Sequence, residues 1–147
     1  MFVRSLALVA ALMSLAFDAK DDAVKEDLKK LEGTWIVVAR EERGVESPKE
    51  VLDKIEMRFT FTGTKVTLKI SKQIEKSEDG PFTIDSTKKP KQIDMKTGKI
   101  EVRGIFSLEG DTLKLCLVMD KDAKRPTDFT TAKDNGHGLL VLKREKK

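Results

Sequence analysis

One cysteine, one histidine, one tryptophan and no tyrosine leave this 147-residue chain with little of the side-chain chemistry that most enzymes use. Cys116, being alone, can form neither an intrachain disulfide nor a cysteine-based zinc site. One histidine beside one cysteine does not make a metal centre of the usual nitrogen and sulfur type, so no metal and no cofactor are expected. A Cys116–His137 dyad would lack a third group to orient it. The serines fit no nucleophile-elbow pattern, and Gly44, Gly63 and Gly98 stand apart as turn residues rather than in a phosphate-binding loop. An excess of one charge is also missing: 29 basic against 25 acidic side chains give a mixed-sign surface at +4, unlike that of a polyanion-binding protein. The basic run Lys88-Lys89-Pro90-Lys91 has no aromatic residues interleaved for base stacking. It reads as a solvated turn that protects a sheet edge, and nucleic acid is not an expected partner.

The leading apolar run, Leu6 to Leu15, is too short to span a bilayer of about 30 Å. It follows a short positive start at Met1 to Arg4 and precedes small residues at Ser14 and Ala16, the layout of a secretory signal peptide over residues 1–16. An alternative cut after Ala19 places the bulky Phe17 where a small residue is preferred. Export to a periplasmic or extracellular location is expected, with no stable membrane insertion after cleavage. Loss of Arg4 with the leader takes the 29 basic residues to 28 against 25 acids. The remainder, residues 21–147, is one domain, large enough to be stable without cross-links.

Val24, Leu28 and Leu31 recur at helical spacing behind Asp21 and Asp22, and Gly33 ends that helix. Everything beyond reads as strand. Trp35 to Ala39 opens the sheet. Ile55, Met57, Phe59 and Phe61 alternate with polar residues, turn at Thr62-Gly63-Thr64, and return through Val66, Leu68 and Ile70 as a hairpin. The polar stretch from Lys72 to Gly80 reads as a loop. Short strands follow at Phe82-Ile84, Ile93-Met95, Val102-Leu108, Leu113-Val118 and Leu139-Leu142, most of them separated by tight turns. About eight short antiparallel strands behind one short helix predict an all-β up-and-down barrel, a size that can hold one small ligand.

Gly33-Thr34-Trp35 on the first strand and Lys143-Arg144 on the last resemble the lipocalin arrangement, in which the tryptophan packs beneath a basic side chain at the barrel floor. LEGTWIVV at 31–38, TIDSTKKPKQIDM at 83–95, GIFSLEGDTLKLC at 104–116, RPTDF at 125–129 and LLVLKR at 139–144 occur in this order. Together they are similar to an exported lipocalin-like domain family of planctomycete type whose function is uncharacterised. Phe106 stands where the family carries another aromatic. The resemblance implies a lipocalin-like barrel with a Trp35–Arg144 floor, and it places Asp94, Asp111, Lys114, Cys116, Arg125 and Asp128 within family motifs.

Two sets of candidate residues follow. Ile55, Met57, Phe59, Val66, Leu68, Phe106, Leu113 and Leu115 face inward; they either wall a cavity for a small, partly apolar molecule or fill the barrel solidly. In the second case the protein would be an interaction or envelope-structural module that uses the basic turn and the Arg125 loop. The polar set centres on Lys114 and Cys116, which share one strand face. Arg125 bonded to Asp94 or Asp111 would clamp a loop over them. In the alternative, Lys114 lowers the thiol pKa of Cys116 at a small reactive site. No enzymatic activity is expected, and no protein partner can be named.

Overall fold

The computed structural model describes residues 21–70 and 76–146; the expected leader, with both of its candidate cuts, lies outside them. Residues 21–31 are helical (α1). The strands are β1 (Gly33–Glu42), β2 (Val45–Glu46), β3 (Met57–Thr62), β4 (Lys65–Ile70), β5 (Lys76–Asp85), β6 (Lys91–Thr97), β7 (Ile100–Glu109), β8 (Thr112–Val118) and β9 (Gly138–Arg144), with a helix α2 (Lys49–Ile55) between β2 and β3. All pairings are antiparallel, and β9 returns to pair with β1. The two-residue β2 extends only the end of β1, so eight strands form a closed, lipocalin-like barrel.

Gly63, Gly98 and Gly110, each with φ near +60°, open the two-residue turns between β3 and β4, β6 and β7, and β7 and β8. Turns of this hand match the twist of the strands they join.

One end of the barrel is closed and solid. Leu31 of α1 is fully buried and Leu28 packs against the core. Asp27, 4% exposed, accepts a hydrogen bond from Lys91 Nζ at 2.8 Å. Lys91 therefore tethers the helix to β6, whereas Lys88 and Lys89 of the same basic run are exposed. Trp35 Nε1 donates to the Leu31 carbonyl at 2.8 Å, and Arg144 Cζ lies 4.3 Å from the centre of the Trp35 ring. Arg144 also donates through Nη1 to the Glu32 carbonyl at 2.6 Å and through Nη2 to the Lys30 carbonyl at 2.5 Å. These are the carbonyls that a helix leaves unpaired at its C-terminus, so one arginine closes the floor and caps the helix together. Above it Phe61 and Phe82 meet edge to face at 5.0 Å, among Val66, Phe106, Leu113, Leu115 and Leu142, each no more than 2% exposed.

Two sequence expectations fail. The segment read as a loop up to Gly80 is strand from Lys76 onward, paired with β4 along its length, while residues 71–75 lie outside the described ones. Its polar side chains conceal it: Asp79, for example, holds Lys65 across the ladder at 2.8 Å instead of entering the core. Ile55 is not on a strand. It ends α2, and Glu56 at φ 46° turns the chain into β3. The partly buried Leu52 is the α2 residue that packs against the core.

Candidate functional site

The other end of the barrel is open, and there the strand ends enclose a cavity of about 450 Å3. Phe59, Met95 and Leu140, all under 9% exposed, line its deeper part, with Met57, Leu68 and Leu117 half-buried around them. Ile100, Met119, Arg43 and Asp120 stand at the exposed rim. The inward-facing residues picked out by alternation therefore divide. Met57, Phe59 and Leu68 line the cavity; Val66, Phe106, Leu113 and Leu115 fill the closed half; Ile55 lines neither.

Polar side chains in the cavity come from places that alternation does not mark. The register between β1 and β9 slips at Val37/Ala39, leaving Val38 44% exposed on the outside. A bulge of this kind re-aims the side chains beyond it. Arg40 and Glu42 consequently point into the mouth, paired at 2.5 Å, while Glu41 faces outward and accepts from Thr131 Oγ1 at 2.6 Å. Arg43 and Gly44 form the β1–β2 turn, both with positive φ (53° and 73°), and Arg43 has no side-chain partner among the described residues. Thr97 ends β6 on its inward face. It is 5% exposed, lines the cavity, and makes no side-chain hydrogen bond among the described residues. His137, just before β9, also lines the cavity, and its Nδ1 is buried without a partner among the described residues.

The polar set lies on the outer wall and splits into separate contacts. Residues 119–137, between β8 and β9, form a strap over β7 and β8. Arg103 Nη2 holds the start of the strap by donating to the carbonyls of Asp120, Lys121 and Ala123, the last at 2.6 Å. Arg125 Nη2 donates to Asp94 Oδ1 at 2.7 Å, and Nη1 donates to the carbonyls of Gly104 at 2.8 Å and Ile93 at 3.3 Å. Asp111 does not join them. It sits in the β7–β8 turn at the closed end, where its Oδ1 accepts from Arg144 Nε at 3.2 Å. Asp128 bonds within the strap to the Thr130 amide and hydroxyl.

Beneath the strap Ile105, Cys116, Val118 and Pro126 are at most 1–2% exposed, a small apolar layer on the outside of the wall. The thiol of Cys116 donates to the Thr130 carbonyl at 3.8 Å. Burial, then the carboxylates of Asp128 and Glu41, push its pKa up from 9.0 to about 11. That is opposite in direction to activation, and Lys114 of the same strand face is exposed. Gly104 pairs with Leu117 in this wall, and a Cβ there would lie 2.2 Å from the Cys116 carbonyl oxygen, so the two backbones can approach this closely only at a glycine.

Among the described residues no group of three or more His, Cys, Asp or Glu could hold a metal ion, and no helix is long and apolar enough to cross a membrane. No family model matches the chain, and no curated protein sequence matches it.

Proposed function

We propose that this protein is an exported, non-catalytic, lipocalin-like binding module that holds a small, partly apolar ligand in the open half of its barrel. The supporting observation is the cavity: about 450 Å3, apolar in its deeper part and open to solvent at one end. Small-molecule sites have this volume and this mixture of apolar wall with a few polar groups. A barrel filled from end to end would favour the interaction-module reading; here the filling stops at the level of Phe59 and Met95.

A neutral apolar dye such as N-phenyl-1-naphthylamine tests the reading. Saturable one-to-one fluorescence enhancement is expected. Leu68→Trp, which adds bulk at a half-buried cavity position, is expected to weaken binding at least about tenfold, the scale of a lost apolar contact area worth about 1.4 kcal/mol. Dye binding that is unsaturable, or indifferent to that substitution, rejects the reading. Membership of the exported family rests on the motif order given above, and export itself on residues 1–16. N-terminal sequencing of the mature protein is expected to begin at Phe17, or at Lys20 for the alternative cut; a retained Met1 rejects export by this leader.

A further inference from the structure

We propose that the ligand of this cavity is an acidic amphiphile, a single apolar chain ending in an oxyanion, with the chain directed toward Phe59 and Met95 and the head held at the mouth by Arg40 and Arg43. The inference rests on the reading of the barrel as a binding module and names what it binds.

The size comes from the cavity. A volume of about 450 Å3 is roughly fifteen times the ~30 Å3 share of one water, so a ligand of roughly fifteen non-hydrogen atoms fills it. The head group comes from an imbalance of donors and acceptors at the mouth. A guanidinium carries five N–H donors. Arg40 commits one nitrogen, Nη2, to Glu42, and its other donors have no acceptor among the described residues. Arg43 commits none. Of the acids lining the mouth, Glu42 is taken by Arg40, and Asp120 Oδ1 accepts from the Asp122 amide within its own turn. The mouth therefore has several guanidinium donors to spare, in the planar geometry that fits an oxyanion two bonds at a time. An ammonium head would meet those same cations and be repelled.

Two further features point the same way. The bulge at Val38 is what brings Arg40, instead of the neutral Ala39, onto the inner face. Arg43 occupies a left-handed position that Asn or Gly would take with less strain, so the turn itself does not call for an arginine there. A second polar contact is available deeper in the wall. Thr97, a residue only 5% exposed, borders the cavity, and its hydroxyl has no partner among the described residues, so it can bond an oxygen of the bound molecule.

The test compares ligands of one chain length: decanoate, decanol and decylamine, titrated against the full mature protein by calorimetry or by displacement of the neutral dye. Decanoate is expected to bind at least about tenfold more tightly than decanol, and decylamine most weakly. Arg40→Gln is expected to bring decanoate and decanol within about threefold of one another, by weakening decanoate far more than decanol. Arg43→Asn, in a turn that Asn tolerates, supplies a second variant with the same expected direction. The preference for decanoate is expected to shrink as salt is raised. Equal binding of decanoate and decanol by the wild type, or a preference that survives both substitutions, overturns the acidic head while leaving the cavity as a binding site. Failure of all three ligands and of the dye overturns the binding module and this inference together.

Discussion

Trp35→Ala is expected to destabilise the protein by about 4 kcal/mol, within the range of about 3–5 for removing a large buried aromatic. The indole is fully buried, so its loss leaves a cavity at the barrel floor. The same substitution removes the face on which the Arg144 guanidinium sits, 4.3 Å from the ring centre, and orphans the buried Leu31 carbonyl that accepts the indole N–H at 2.8 Å. Against a total of about 5–15 kcal/mol for a typical domain, such a loss is close to unfolding. Trp35→Phe separates the causes: it retains an aromatic face for Arg144 and drops the hydrogen bond, for an expected loss of about 1–3 kcal/mol. Urea unfolding measures both, and hydrogen exchange over residues 21–31 reports whether α1 leaves first. A change of less than about 1 kcal/mol for Trp35→Ala would mean that the Trp35–Arg144 floor contributes little to the stability of the barrel.

The floor was legible because it depends on residue type at two fixed points, a tryptophan after glycine on the first strand and an arginine on the last. The barrel was legible for a related reason. β3, β4, β7 and β8 each have one face in the core and one facing outward, and a period of two is visible wherever that holds. Where it does not hold, the pattern misleads. Ile55 falls in phase with Met57 and Phe59 by spacing alone, although a left-handed Glu56 separates them and Ile55 belongs to a seven-residue helix. Lys76 to Asp79 is strand because its backbone completes the ladder with β4, a cause that leaves no hydrophobic trace.

The cavity was half legible. Met57, Phe59 and Leu68 obey alternation. Arg40 does not: its inward position depends on a bulge, and no glycine or proline marks that bulge in Ile36-Val37-Val38-Ala39. Thr97 follows the last apolar residue of β6 and His137 lies outside the strands, so neither carries an apolar signal; closure of the barrel end, a property of the whole ring, is what brings both to the cavity. The outer layer did carry a signal. Ile105 and Cys116 are apolar, lie on the outward faces of β7 and β8 and are directly paired, which requires a cover. Arg125 and Pro126 were the part of the chain that supplied it.

The strap makes the second large prediction. In Arg125→Ala the Gly104 and Ile93 carbonyls and the Asp94 carboxylate lose their shared donor. Hydrogen bonds to a charged group contribute about 1.5–3 kcal/mol each, but Asp94 is 50% exposed and its share is screened, so the expected loss is about 2–3 kcal/mol. The loss should appear locally, at Cys116, before it appears in global unfolding. With the strap in place the raised pKa lowers the thiolate fraction at pH 8 about 100-fold relative to a thiol at 9.0, and burial blocks access as well. Labelling of the native wild type by a thiol reagent is therefore expected to be slow and to require opening of the strap. Arg125→Ala is expected to speed it by about 30-fold or more, the factor that corresponds to about 2 kcal/mol in the opening equilibrium. Arg125→Lys should fall between, since an ammonium lacks the planar fork that reaches two carbonyls and a carboxylate together. If labelling in Arg125→Ala stays at the wild-type rate, the strap is held by its apolar underside of Ile105, Val118 and Pro126, and the clamp contributes little. If labelling accelerates while the urea midpoint barely moves, the strap is a separately opening unit. Its two ends, Met119 and His137, line the cavity mouth, so in that case ligand affinity should fall along with Cys116 protection.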